Sequence, residues 1–178
     1  MAARVTGYES QANVGKYRAQ VITVSTRAAA GTREDTSGAV IQSALVDLGF
    51  DCADPIVIPD GEQVAETIRA AVDAGHDLVM TTGGTGLTPM DNTPEYTRPL
   101  LEREIPGIAD SIRAFGVTQG IPTAALSRGV AGQRGTSLII NAPGSPGGAK
   151  DAVAVIAPIV MHALDQINGG DHPVSTSK

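Results

Sequence analysis

The chain has 178 residues, with 13 Lys and Arg against 19 Asp and Glu, a formal net charge of −6. That length predicts one domain able to bury a core without staples, and the acidic balance excludes general attraction to a nucleic-acid backbone. The single cysteine, Cys52, excludes an intrachain disulfide framework and a zinc site of paired cysteines; aromatics at 3% with no Trp argue against base- or sugar-stacking platforms.

Residues 1–16 mix Gly, Ser, Gln and Asn without period and without the apolar core of a secretory signal. They are expected to form a mobile arm, and 169–178 a mobile tail. A single domain is expected over 17–168. No run reaches the ~18 apolar residues of a membrane span, so the expectation is a reduced, cytoplasmic protein with no membrane partner.

The run 20–26 (QVITVST) is β-branched and predicts a buried strand. Next, 36–48 carries Val40, Ile41, Ala44, Leu45 and Leu48 at helical spacing, with Gly49 as the expected left-handed cap. Ile56, Val57 and Ile58 predict a strand within 54–59, and Val64, Ile68, Ala71 and Val72 a helix over 62–74. A third buried strand is expected at 77–82 (DLVMTT). Thr93 and Pro94 then read as N-cap and first residue of a helix. Ile108, Ile112 and Phe115 form a stripe over 107–117, an apolar face expected to be available for burial between subunits, and 136–141 (TSLIIN) predicts another strand. A last helix over 146–167 should kink or split at Pro158.

Strands alternating with helices imply an α/β fold, with a mostly parallel sheet covered on both faces. Ligands of such sheets sit outside the carboxyl ends of the strands. The informative segments are therefore the loops that follow strands. The first starts at Ser25 and runs past Asp35, Ser37 and Gly38; the second holds Asp60. The third runs from Thr82 through Gly83, Gly84, Thr85 and Gly86 to Asp91, Thr93 and Glu95, and the last holds Asn141, Pro143, Gly144 and Ser145.

Three glycines in one turn let backbone amides approach an anion closely. The turn is neither a Walker A loop nor a dinucleotide fingerprint. Ser145-Pro146 opens the last helix as N-cap and first residue, a seat for phosphate or simple capping. Asp60-Gly61-Glu62-Gln63 fits a capping box, so Asp60 has a structural reading beside a functional one. Asp91 is surplus to helix initiation, because Thr93-Pro94-Glu95 already supplies it. Asp35 competes with Thr36 to cap the first helix. Three carboxylates at one edge of a sheet suit a hard cation such as Mg²⁺. Beside glycine-rich anion loops they point to nucleotide or phosphoryl chemistry.

The strings 81–95 (TTGGTGLTPMDNTPE), 127–135 (SRGVAGQRG) and 141–146 (NAPGSP) resemble the molybdenum cofactor biosynthesis family. The MogA/MoaB-type proteins and the adenylylating domains of gephyrin and plant Cnx proteins are similar, from about Tyr17 to His172. The resemblance implies a three-layer α/β/α MogA-like fold and a homotrimer or hexamer. It implies Mg²⁺- and ATP-dependent adenylylation of molybdopterin with release of pyrophosphate, and a molybdenum insertase as partner.

The family's two key acids fall on Asp60 and Asp91, as Mg²⁺ or water-shell ligands. Its first-loop acid falls on Asp35, beside Ser37 and Gly38. Its pterin side falls on Gly83, Gly84, Thr85, Gly86, Thr93, Glu95, Asn141, Gly144 and Ser145; Ser25, Thr82, Ser127, Arg128 and Pro143 complete the expected ligand-binding set. Met90 stands where the family usually carries Arg, a bidentate phosphate binder; Arg33, Arg128 and Arg134 are the cations that could replace it. The alternatives are a non-catalytic molybdopterin-binding or assembly paralogue, and a doubly wound phosphate-sugar enzyme, against which the paired glycine loops speak.

Overall fold

The computed structural model describes residues 15–170. The arm and tail expected at the two ends therefore lie almost wholly outside the described residues. In chain order the elements are β1 (Arg18–Val24), α1 (Thr26–Ala29), α2 (Thr36–Asp47), β2 (Asp51–Cys52), β3 (Ile56–Ile58), α3 (Gln63–Asp73) and β4 (Leu78–Thr82). Then follow α4 (Thr93–Thr97), β5 (Arg103–Glu104), α5 (Pro106–Thr118), β6 (Ala131–Arg134), β7 (Ser137–Ala142), α6 (Pro146–Ile156) and α7 (Val160–Ile167).

The strands form one sheet in the order β2-β1-β4-β7-β6-β5, with β3 pairing β1 beyond β2 on the same edge. Pairing is parallel from β2 and β3 through β1 and β4 to β7, and antiparallel at β6 and β5. The chain leaves β1 to build β3 on one side and returns to place β4 on the other. The strand order therefore reverses between β1 and β4, where α/β sheets open a ligand crevice.

The central strands are buried on both faces, which explains their unbroken apolar or β-branched composition. Ala19 and Val21 of β1, Leu78 and Met80 of β4, and Leu138 and Ile140 of β7 pack under α2, α5, α6 and α7. Ile22 and Val24, Val79 and Ile139 point the other way, against α3 and the segment after α4. This two-residue alternation makes the three layers. Each large aliphatic side chain so buried contributes about 1.5–3 kcal/mol.

The capping signals act largely as read. Helix α2 ends in a Schellman turn: Phe50 N donates to Leu45 O at 3.0 Å and Gly49 N to Val46 O at 2.9 Å, with Gly49 at φ +94°. Asp35, not Thr36, caps α2, its Oδ1 accepting from Gly38 N at 2.8 Å. The last helix breaks around Pro158 into α6 and α7, bent by 60°. Among the described residues no single helix is long and apolar enough to cross a membrane.

Two expectations are corrected. Asn92, not Thr93, occupies the cap position of α4, and it makes no side-chain capping bond. Thr93 lies one position inside, drawn under the glycine loop by its N–H, which donates to Gly84 O at 3.0 Å. Ile108 and Ile112, the start of the α5 stripe read as free for subunit contact, belong to the chain's own core.

Helix α7 is tied back to the start of β1 by one carboxylate. Asp165 Oδ1 accepts from Lys16 Nζ at 2.6 Å and from the Tyr17 hydroxyl. Those two donors, Lys16 foremost, hold the Asp165 carboxyl below its ordinary range. A depressed carboxylate stabilises the fold above the unfolded-state value, near 3.9, and the contribution disappears as pH falls through the folded value. Asp165→Asn should therefore lower the thermal midpoint at pH 7 by no more than about 4 °C. The deficit should shrink toward zero below about pH 4, as followed by circular dichroism across a pH series.

Candidate active site

Four loops leave the carboxyl ends of β1, β3, β4 and β7 and meet at one end of the sheet. Their meeting point is Gly83. A Cβ on this residue would lie 2.2 Å from the Val24 carbonyl oxygen, and its φ of +102° is closed to ordinary side chains. On its other side a Cβ on Gly144 would sit 2.9 Å from Gly83 Cα. The 83–86 and 143–146 loops thus pack backbone to backbone. Thr82 fastens them, its hydroxyl donating to Pro143 O at 2.8 Å. Ser145 caps α6 as expected, accepting from Gly148 N at 3.1 Å.

Two cavities open on this junction. The first, about 560 Å³, is lined by Asp35, Asp60, Asp91, Met90, Arg27 and Arg33 over a floor of Gly83 and Gly84. Ser25 and Ser37 also border it. The second, about 700 Å³, is more aliphatic, with Ile112, Ile121 and Leu126 facing Thr85, Gly86 and Pro143. Gly84, Asp91, Gly144 and Ser145 border both cavities and form the ridge between them.

The three acids are held differently. Asp60 Oδ2 accepts from Thr26 N at 3.1 Å and Thr26 Oγ1 at 2.7 Å. Its Oδ1 takes no hydrogen bond from the described residues and lies 3.1 Å from where a Cβ on Gly84 would be. The capping-box reading of Asp60 is corrected here. Glu62 occupies the cap position of α3 and makes no side-chain capping bond, while the Asp60 carboxylate is drawn across to the end of β1. Asp91 Oδ2 accepts from Thr88 N at 3.0 Å and Thr88 Oγ1 at 2.7 Å, closing its own loop. Its Oδ1 takes no hydrogen bond from the described residues. Asp35 has both oxygens engaged, one by Gly38 N and the other by Thr23 Oγ1 at 2.7 Å. It is a structural cap at the cavity wall.

Other expected ligand contacts lie beneath the surface. Asn141 is buried: its amide donates to Thr81 Oγ1 at 2.9 Å and Thr97 Oγ1 at 3.0 Å, and its oxygen accepts from Val130 N at 3.2 Å. It holds β7 to α4 and the loop before β6. Gly38 lets Asp35 and Thr23 close over α2, since a Cβ there would meet both at 2.2 Å. Thr93 Oγ1 is buried without a partner, under Gly84. Ser127 Oγ donates to Thr85 Oγ1 at 3.3 Å. Glu95 pairs with Arg128, whose other donors reach Gly86 O and Asp91 O. Arg134 donates to Leu100 O, away from both cavities.

Sequence reasoning did not find Thr23, Thr26 and Thr88, the hydroxyls that orient the acids. Thr88 carried a signal, the three-residue spacing to Asp91 that closes such a loop. Thr26 lies 34 residues from Asp60 and carried none. Arg27 was likewise passed over.

Among the described residues no group of three or more His, Cys, Asp or Glu is placed to hold a metal ion. Asp60 and Asp91 each present one free oxygen, which fits a magnesium ion completing its shell with water and phosphate.

The tightness at Gly84 is testable. A Cβ there would lie 2.2 Å from Thr93 Oγ1, at a φ of +63°. Gly84→Ala should destabilise the protein by about 1–3 kcal/mol in urea unfolding. Gly147→Ala, where a Cβ meets nothing within 4 Å, should leave the urea midpoint unchanged or raised.

Comparisons with known proteins show the family. The family model described as "Probable molybdopterin binding domain" matches residues 20–162. The chain is 35% identical to the molybdopterin adenylyltransferase of Helicobacter pylori (strain J99) over 153 residues, 84% of this chain and 86% of that protein. It is 34% identical to the molybdenum cofactor biosynthesis bifunctional protein of Chlorobaculum tepidum, covering 94% of this chain but 54% of that one. The chain thus spans about half the length of the bifunctional relatives it matches. The solved structure of the Mog protein of Mycobacterium ulcerans superposes with a TM-score of 0.81 at 48% identity, over 85% of this chain and 99% of that one. With its fold, its paired glycine loops and a family match over most of its length, the chain belongs to the molybdenum cofactor biosynthesis family of molybdopterin-binding domains.

Proposed function

We propose that this protein is a molybdopterin adenylyltransferase that uses ATP and Mg²⁺. The observation that carries the reading is the ridge shared by two cavities, with Asp91 on it and Asp60 in the first cavity. The first cavity, with its acids and cations, suits a magnesium-bound triphosphate. The second, aliphatic and adjoining the 83–86 and 143–146 loops, suits the pterin. A molybdopterin phosphate oxygen then attacks the α-phosphorus of ATP at the ridge. One oxygen–phosphorus bond forms, the bond to the β-phosphate breaks, and pyrophosphate leaves.

The attacking phosphate monoester is largely dianionic at neutral pH, its second pKa being about 6. No strong general base is required. What the reaction needs is charge neutralisation between repelling phosphates and in-line alignment. Asp60 and Asp91 would hold Mg²⁺, and the ion would supply that neutralisation. Thr26 and Thr88 pre-orient the two carboxylates, and the glycine loops bring backbone amides close to the phosphates.

Met90 favours a second reading, a paralogue that binds molybdopterin without turnover, because it brings no charge to the first cavity. Arg27 and Arg33 weigh against it. Both line that cavity, and neither forms an ion pair among the described residues. The reading extends to a cytoplasmic homo-oligomer, trimer or hexamer, that passes its product to a molybdenum-inserting partner; the longer bifunctional relatives support that handover.

Pyrophosphate release with molybdopterin and ATP tests the proposal. Asp91→Asn should cut kcat by ~10²–10³ with an unchanged melting temperature. Asp60→Asn should lose activity yet keep its hold on Thr26, whereas Asp60→Ala loses both. Turnover of Asp91→Asn at the parent rate would reduce Asp91 to a solvated loop acid. A separate series addresses the missing charge: Arg33→Gln should raise KM for ATP about tenfold, one charge-assisted contact, and leave KM for molybdopterin unchanged.

A further inference from the structure

Arg128 lies at the root of the loop before β6, and all its side-chain hydrogen bonds end on one segment. Nε donates to Gly86 O at 2.8 Å, one terminal nitrogen donates to Asp91 O, and the other pairs with Glu95. These acceptors stand at the start, middle and end of 86–95, the segment that carries Asp91. The guanidinium lines neither the first nor the second cavity; with Glu95, Arg98 and Arg113 it borders a separate hollow of about 400 Å³ that Asp91 does not line. Arg128 is itself anchored, its backbone N donating to Thr85 O at 2.9 Å.

Asp91 has little other support. Its carboxylate and its own N–H bond only to Thr88, inside the same turn. That turn could move as a unit and carry the carboxylate off the ridge. Three acceptors met by three separate nitrogens match the rigid fork of a guanidinium, and an ammonium cannot reach all three.

We propose that Arg128 is a positioning residue that holds the Asp91 carboxylate on the ridge between the two cavities without touching substrate. The inference rests on the adenylyl-transfer reading for its catalytic consequence, but not for its structural one. Glu95 completes the clamp as the counter-charge of Arg128. The role differs from the ligand contact that the sequence suggested for both residues.

The test uses the whole chain with Arg128→Lys and Arg128→Ala, and Arg98→Ala as an exposed control. Two readouts are taken: amide hydrogen exchange without ligands, and steady-state pyrophosphate release. In both Arg128 variants, exchange across 86–95 should rise while β4 and β7 stay protected. In both, kcat should fall about 10²-fold, the cost of a misplaced group, with KM for each substrate within about threefold. Lys should not restore the parent values, and Arg98→Ala should behave as the parent in both readouts.

Unchanged exchange across 86–95 would overturn the proposal. So would a raised KM with kcat intact, the mark of a substrate contact, or loss of protection throughout β4 and β7, the mark of general unfolding. If the parent itself releases no pyrophosphate, the adenylyl-transfer reading fails. The exchange measurement then still decides whether Arg128 holds the Asp91 loop.

Discussion

The site depends on one steric constraint, the absence of a side chain at Gly83. This residue leaves β4 where the strand order reverses, with the Val24 carbonyl against one side and Gly144 against the other. A methyl group there would push β4 off β1 and part the two glycine loops. Backbone meets backbone at this point, so the floor of the crevice is built of main chain rather than side chains. The two cavities share a border made of Gly84, Asp91, Gly144 and Ser145.

Around that floor the protein repeats a simple device. Each acid is oriented by a threonine hydroxyl: Asp35 by Thr23, Asp60 by Thr26 and Asp91 by Thr88. The difference lies in the second oxygen. Asp35 gives its own to the α2 cap, whereas Asp60 and Asp91 keep theirs free of hydrogen bonds from the described residues. Fixing one oxygen removes rotational freedom while the other stays available. A site meant to stabilise charge between phosphates gains from that preorganisation.

The antiparallel margin of the sheet serves the same end indirectly. Strands β5 and β6 are short and polar, and carry little of the core. They fix the preceding loop, and with it Arg128, against Thr85. The buried Asn141, bonded to Thr81, Thr97 and Val130 N, joins this margin to the central strands and to α4. A residue that resembles a ligand contact in the linear motif thus acts as the rivet beneath the ligand surface.

Local rules made much of this legible. The β-branched runs, the helical stripes, Gly49, Ser145 and Pro158 each act within a few residues, so the chain read alone dictates the layered α/β fold and the end of the sheet where the loops gather. The family strings pointed to the same loops. Strands β5 and β6 were invisible because a four-residue AGQR segment and a two-residue partner have no apolar period; pairing with β7 makes β6 a strand, and pairing with β6 makes β5 one. Of the two readings open to Asp60, the capping one fails because the competing donor, Thr26, lies 34 residues away. The split between Asp35 as structure and Asp60 and Asp91 as free acids was likewise set by packing. Hydrogen-bond partners across a sheet edge are chosen by distance in space, which only the folded chain defines.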